Sequence, residues 1–304
     1  MAKARISVIG AGLMGHGIAQ VFAAAGHEVD ITDPAPAALA SVRDRIAANL
    51  ADLGQAAAAV DRVHPRESLA DAVSAADVVI EAAPEKVALK QDIFAELERH
   101  ARRDALLASN TSVIPIGTIA ARVTTRDRVL GTHWWMPPYL VPLVEVIQAE
   151  GTADASVTRM IDLLTAAGKT AVHVKKDVPG FIGNRLQHAL WREAMALVQN
   201  GVCDARTIDT VVKASFGRRL PVIGPLESAD LVGTDLALDC HVNLLPDLDR
   251  TPGPLPYLEQ LVGEGKLGFK SGEGFRPWTP EEQAALRKRL ADHLKKMAQE
   301  DAAG

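Results

Sequence analysis

The sequence predicts an α/β protein: a wound, largely parallel sheet domain over residues 1–178, followed by a smaller all-α domain over 179–304. Three observations carry this. Short β-rich runs alternate with helical patterns as far as Val174, as strands joined by helical crossovers do. A glycine-rich turn follows the first run and opens a helix. Beyond Asp177, apolar residues recur at helical spacing with no further convincing strand.

In order along the chain, Ile6 to Ile9 forms the first strand, and Gly10-Ala-Gly12-Leu13-Met14-Gly15 leads directly into a helix through Ile18, Val21 and Phe22 toward Gly26. Glu28 to Asp33 is the second strand. The alanine-rich stretch Ala56 to Ala59 reads as a loose helix end. Strands follow at Asp77 to Glu81, Ala105 to Ser109, Val129 to Trp134, Leu143 to Ile147 and Ala171 to Val174. In the second domain Pro179 suits the opening of a helix and Gly201 its end, with Phe181, Ile182, Leu186, Ala189, Leu190, Leu197 and Val198 spaced between them. Thr279 caps the last helix, Pro280 takes its first position and Glu282 completes a capping box. Leu286, Leu290, Leu294 and Met297 line one face of that helix, for docking on the parent domain or against a second copy.

Composition narrows the function. With 304 residues, 48% apolar and 23% charged, the chain can bury a core and make two domains. A net charge of −5 offers no basic stripe for a phosphate backbone, which argues against nucleic acid as a partner. Cys203 and Cys240 are too few for a disulfide framework and lack zinc-site spacing, so a reducing cytoplasm is expected. The N-terminus enters its first strand with no room for a secretory leader, and no apolar run reaches membrane-spanning length, so no membrane partner is expected either.

Between a strand and a helix, the glycine run is the dinucleotide fingerprint of a Rossmann-type domain. Gly10 permits the tight turn, Gly12 lets backbone approach a pyrophosphate, and Gly15 lets helix and strand pack closely. Asp33 ends the second strand roughly 20 residues on, where a carboxylate reads the ribose. That carboxylate accepts from a 2′-hydroxyl and repels a 2′-phosphate, so the predicted cofactor is NAD, held by Gly10, Gly12, Leu13, Met14, Gly15 and Asp33.

Five further segments occur in order over nearly the whole chain: Ser109-Asn-Thr-Ser112, Gly131-Thr-His133, Leu143-Val-Glu145-Val, Val178-Pro-Gly-Phe-Ile-Gly-Asn184-Arg and Gly265-Lys-Leu-Gly-Phe-Lys-Ser-Gly-Glu-Gly274. Through them the sequence resembles the L-3-hydroxyacyl-CoA dehydrogenase family. The resemblance implies an NAD-dependent oxidation of the 3-hydroxyl of an L-3-hydroxy acid or its CoA thioester, in a cleft between the two domains of each subunit of a homodimer. It implies His133 and Glu145 as the catalytic dyad, Ser112 and Asn184 around the substrate oxygen, and Glu85 and Lys90 on the NAD side. Strands joined across Pro137-Pro138 would set His133 beside Glu145, whose carboxylate then fixes the imidazole tautomer. Each residue also has an ordinary reading: His133 as a core histidine, Ser112 as a cap for a helix near Pro115, Asn184 as a backbone partner, Glu85 and Lys90 as exposed helix charges.

The sequence departs from that family at two places. The Asn usual after the histidine and two aromatic or apolar residues is Met136, which removes a polar contact to substrate. Adjacent on a strand, Trp134 and Trp135 should face opposite ways, one into the core and one, Trp135, walling the substrate pocket with Met136. Between Ala47 and Val60, where CoA-using relatives carry a Lys-bearing extension, there is no cation to meet CoA phosphates. Free acids thus become candidates, with Arg218 or Arg219 offered to a substrate carboxylate or else lying in a solvated loop. The segments around His133 to Leu143 and Ile223 to Glu227 are similar to the family's free-acid branch, which includes L-gulonate 3-dehydrogenase and L-carnitine dehydrogenase. Two rivals stand beside this reading. A second hydroxyacid dehydrogenase family places a catalytic Lys four residues before an Asn, where this chain has Gly180 before Asn184. The other is a catalytically weak NAD-binding scaffold or sensor, which Met136 favours.

Overall fold

A computed structural model describes residues 3–303. Its sheet is built from β1 (Arg5–Ile9), β2 (Glu28–Thr32), β3 (Val63–Pro65), β4 (Val78–Glu81), β5 (Leu106–Ser109), β6 (Val129–Trp134), β7 (Leu143–Ile147) and β8 (Thr170–Val174). Their order across the sheet is β3-β2-β1-β4-β5-β6-β7-β8. Neighbours are parallel except β6 and β7, which run antiparallel with His133 opposite Glu145.

Both faces of the sheet are covered, which is why the inner strands are near-continuous apolar runs rather than alternating ones. Helices α1 (Leu13–Ala24), α3 (Val42–Asp52) and α7 (Asp154–Ala166) pack on one face through Ile18, Phe22, Ile46, Leu50, Met160 and Leu164. The short helix α2 (Pro36–Ala40) precedes α3. On the other face α4 (Leu69–Val73), α5 (Val87–His100) and α6 (Ile116–Ile119) bury Val73, Phe94, Leu97, Ile116 and Ile119. Strand order reverses beside β1, so a crevice opens at the carboxyl ends of β1 and β4 where open α/β sheets bind ligands.

Most predicted strands agree with the structure to within a residue at each end. The exception is β3, which the sequence pattern does not reveal: three residues long, with polar His64 and closed by Pro65, it is an edge strand paired on one side only. Ala56 to Ala59 runs into a 3-10 turn over Ala57–Arg62.

By contacts the chain forms two compact units, one running through Arg185 and resuming at Ala291, the other spanning Leu186–Leu290. This differs from the division at residue 178. The C-terminal part of the last helix rejoins the first unit, where Lys295 pairs with Asp52 at 2.6 Å, an ion pair no local pattern announces. The second unit contains most of α8 (Gly183–Gln199), then α9 (Ala205–Ala214), α10 (Pro225–Val232), α11 (Thr234–Leu244), α12 (Pro256–Gly263) and the start of α13 (Pro280–Ala303). The capping box at α13 is present: Thr279 Oγ1 accepts from the Glu282 amide, and the Glu282 carboxylate accepts from the Thr279 amide. Of the stripe on α13, Leu290 stays 57% exposed. Among the described residues no helix is long and apolar enough to cross a membrane, and no His/Cys/Asp/Glu cluster could hold a metal.

The start of α8 corrects the sequence reading. Pro179 does not open the helix, because Gly180 and Phe181 adopt φ values of +75° and +51°, outside helical conformation. They form a turn closed by the Phe181 amide donating to Val178 O, and the helix begins only at Gly183. At its far end Gly201 takes φ +71° with its amide and that of Val202 returned to Val198 O and Leu197 O, the helix-ending role expected of it.

Candidate active site

The glycine turn is set by close contact. A Cβ on Gly15 would lie 1.7 Å from Gly10 O, so only glycine lets α1 approach β1 this closely, and Gly10 itself has φ +105° against the Ala82 carbonyl. At Gly12, by contrast, a Cβ would meet nothing within 4 Å: the backbone there faces open space. Among the described residues, the amides from Gly12 to Gly15 find no acceptor in the chain, and the first turn of α1 holds no acidic side chain. Leu13 is 71% exposed beside them. Asp33 closes β2, with Oδ2 accepting from the Ala11 amide at 2.7 Å and Oδ1 from the Ala35 amide at 2.8 Å. A donor-rich, open helix start beside a carboxylate is what a dinucleotide's pyrophosphate and ribose require.

A pocket of about 330 Å³ adjoins this turn. Met14, Ala82, Ala83, His133, Trp135 and Met136 line it, and Glu85, Asn110, Ser112 and Asn184 supply polar groups. His133 Nδ1 lies 2.7 Å from Glu145 Oε2, with both residues almost wholly buried. The other carboxylate oxygen accepts the amides of Ile182 at 2.9 Å and Gly183 at 3.1 Å, so one acid fixes the imidazole and the start of α8. Burial by itself would push the Glu145 carboxyl up, but the His133 bond and the two amides outweigh it and hold the group below the usual carboxylate range. Phe181 and Trp135 flank the imidazole with ring centroids 5.5 and 5.2 Å away. In the β6–β7 connection, buried Lys169 ties down the carbonyls of Pro138 and Val141, and burial lowers its amine to about 8.

The tryptophans face opposite ways, as alternation along β6 requires. Trp134 is buried edge-on to Phe22, while half-buried Trp135 leaves no room for a Cβ on Gly183. Met136 is 65% exposed at the pocket rim.

Ser112 does not cap the helix near Pro115, since α6 has no side-chain cap. Ser112 lines the pocket, and its carbonyl accepts from Asn184 Nδ2 at 2.9 Å. Glu85 is not a free helix charge: Oε1 accepts from Thr111 Oγ1 and from the amides of Ser112 and Val113. Burial alone would raise Glu85, but Thr111, the Lys90 charge and those amides lower it.

Lys90 is not the exposed helix charge of its ordinary reading. It is wholly buried, absent from the pocket wall, and donates to Glu81 Oε1 at 2.7 Å and Ala83 O at 3.1 Å, with Glu85 Oε2 at 3.4 Å. Ser109 Oγ completes the Glu81 shell at 2.6 Å. The network braces the Ala82–Ala83 wall from beneath, and a buried pair so fully hydrogen-bonded leaves no charge uncompensated. Arg218 is exposed on the 3-10 turn Phe216–Arg218 of the second unit. Sequence reading missed Asn110, whose Oδ1 accepts from the Trp134 amide at 3.0 Å while its side chain lines the pocket; its place at the carboxyl end of β5 was the available signal.

Wound sheet, glycine turn and terminal acid together define a dinucleotide-binding oxidoreductase, and comparison with known proteins agrees. The NAD binding domain of 3-hydroxyacyl-CoA dehydrogenase matches residues 5–178, and the C-terminal domain of the same enzymes matches 180–278. The chain belongs to the 3-hydroxyacyl-CoA dehydrogenase family and is an NAD-dependent oxidoreductase. It is 39% identical over 294 residues, 95% of each chain, to 5-formyl-3-hydroxy-2-methylpyridine 4-carboxylate 5-dehydrogenase of Mesorhizobium japonicum. It is 39% identical to L-carnitine dehydrogenase of Streptomyces coelicolor over 75% of this chain and 73% of that one. To 3-hydroxybutyryl-CoA dehydrogenase of Mycobacterium tuberculosis it is 38% identical over 89% and 97%. Among solved structures, that of a 5-formyl-3-hydroxy-2-methylpyridine 4-carboxylic acid 5-dehydrogenase, described as an NAD+ dependent dismutase, superposes with TM-score 0.91, 36% identity and 99% coverage of both chains. A 3-hydroxybutyryl-CoA dehydrogenase from Escherichia coli gives 0.77 at 34% identity, covering 91% of this chain and 60% of that one.

Proposed function

We propose that this enzyme oxidises the hydroxyl carbon of a small hydroxy acid, with the oxidised carbon near a free carboxylate, using His133 as acid/base and Glu145 as its orienting partner. The observation that carries the proposal is the buried 2.7 Å contact from Glu145 to His133 Nδ1 at the pocket wall. An ionised Glu145 holds the Nδ1 proton, which leaves Nε2 as a lone pair for the pocket. Nε2 takes the proton of the substrate hydroxyl, and Glu145 stabilises the resulting imidazolium. NAD, when bound, supplies the hydride acceptor for the carbinol carbon. In the reverse direction the imidazolium returns its proton to the carbonyl oxygen. Asn184, steadied on the Ser112 carbonyl, and the Ser112 hydroxyl flank that oxygen. Gly12, Leu13, Met14 and Gly15 serve the pyrophosphate side and Asp33 the ribose, while Glu85 shapes the polar wall and Lys90 supports it from below.

The preference for a free acid rests on three observations. No Lys or Arg lies between Ala47 and Val60 to meet the phosphates of coenzyme A. At the pocket rim Met136 presents an apolar thioether. Two relatives are named for a pyridine carboxylate and for L-carnitine, without coenzyme A in either name. NADH production at 340 nm with NAD is the test, comparing L-3-hydroxybutyrate, L-gulonate and L-carnitine with L-3-hydroxybutyryl-CoA. At least one free acid is expected to exceed the thioester by about tenfold or more in kcat/KM. A thioester preference would overturn the substrate assignment, and silence across the panel would favour the weak-scaffold alternative.

A homodimer paired through the second unit is part of the same proposal. Among its described residues only Ala196, Leu255 and Leu261 are buried hydrophobics, whereas Val222, Leu226 and Leu231 are 83, 79 and 72% exposed. An apolar surface of this extent calls for a cover. Sedimentation is expected to give a dimer at micromolar concentration, and monomer alone would refute the pairing. A cytoplasmic location fits the two unpaired cysteines, Cys203 and Cys240.

A further inference from the structure

We propose that Arg45 and His16 are positioning residues of the NAD site, which hold the carbonyls of Ala11 and Gly12 so that the amides following them face the pyrophosphate. Arg45 reaches from α3 into the glycine turn, where Nη2 donates to Ala11 O at 2.6 Å and to Ala38 O at 2.8 Å. His16, buried on α1, has Nδ1 2.7 Å from Gly12 O. A trans peptide is planar with its carbonyl and amide pointing opposite ways. Holding Ala11 O on the α3 side therefore turns the Gly12 amide the other way, and Gly12 O, held by the His16 ring at 2.7 Å together with the His16 backbone amide at 3.2 Å, fixes the Leu13 amide. Asp33 takes the Ala11 amide at 2.7 Å, so this short segment is held at consecutive groups by three side chains from three elements. Among the described residues, the amides left over, from Gly12 to Gly15, have no acceptor, and a Cβ on Gly12 would meet nothing within 4 Å.

The charges agree with an anion site. Arg45 is half-buried, and among the described residues no carboxylate pairs with it. Its guanidinium, held on the carbonyls of Ala11 and Ala38, places a positive charge beside the helix start. Arg45 Nη1 lies 3.4 Å from His16 Nδ1, but the shorter contact to Gly12 O requires the proton on Nδ1, so the guanidinium and the ring meet as two donors. Burial first, then Arg45, push the imidazole pKa down against the Gly12 bond, which leaves His16 a neutral donor at neutral pH.

Calorimetric titration with NADH, ADP-ribose and adenosine separates this role from general damage, and the wild-type NADH titration checks cofactor binding independently. Arg45→Met is expected to weaken NADH and ADP-ribose by about tenfold and adenosine by less than about twofold, since only the first two carry a pyrophosphate. Arg45→Lys should recover part of the loss, because an ammonium still donates to carbonyls. Should Arg45→Met fail to fold, His16→Phe, which keeps a ring but no donor, is expected to weaken NADH and ADP-ribose by about threefold with adenosine unchanged. Unchanged NADH affinity in these variants, or equal loss for adenosine, would overturn the proposal.

Discussion

Replacing His133 with Gln is expected to lower kcat by about a thousandfold while NADH still binds, because general acid–base catalysis by a positioned side chain contributes roughly 10²–10⁴-fold. The imidazole lies near Trp135 and Phe181 at the pocket wall and contacts Glu145 through Nδ1, so in the proposed mechanism Nε2 takes the hydroxyl proton. A Gln amide fits the same slot but cannot accept a proton at neutral pH. Glu145 should tolerate the change, since it keeps the amides of Ile182 and Gly183. Steady-state kcat together with an NADH titration reads both quantities. A variant that binds NADH and turns over at the wild-type rate would remove His133 from the mechanism.

Glu145→Gln is expected to cost nearly as much, about 10²–10⁴-fold in kcat, with the pocket intact, because it reverses the tautomer. Gln must place its carbonyl oxygen toward the Ile182 and Gly183 amides, since the opposite flip would set donors against donors. Its NH₂ then points at His133 Nδ1, forces that nitrogen to accept and moves the imidazole proton to Nε2, where it blocks proton abstraction. Wild-type turnover in this variant would refute the tautomer argument. The same substitution has a signature in stability. With its pKa depressed in the folded state, Glu145 contributes stability that is fully present above the ordinary Glu value of 4.5 and is lost as pH falls through the lower folded value. Removing the titrating group should flatten the acid limb of Tm against pH.

Much of the site is legible in the sequence because its determinants are local. The glycine turn depends on contacts within a few residues, Asp33 on the end of one strand, and the Thr279–Glu282 box on one helical turn. The pairing of His133 with Glu145 follows from two short strands and a Pro-containing connection, and the register places the two residues opposite each other. Local reasoning stops at Lys90. On sequence it is one more charge on an amphipathic helix, and only the burial of Glu81 beside Ser109, 28 residues further on, explains why an ammonium is drawn inside.

By itself the sequence determined most of the strands and where the dinucleotide turn lies, since periodicity and glycine stereochemistry act over a few residues, and the five ordered motif segments carried the resemblance to the family. The tertiary structure decided what depends on segments remote in the chain: that α8 starts at Gly183 because Glu145 draws two amides from 37 and 38 residues away, that Arg45 reaches back 34 residues to the glycine turn, and that residues from Ala291 onward return to the sheet unit. The physical reason is that a buried carboxylate or guanidinium must find its hydrogen-bond partners wherever the fold brings them, and no sequence period encodes that distance.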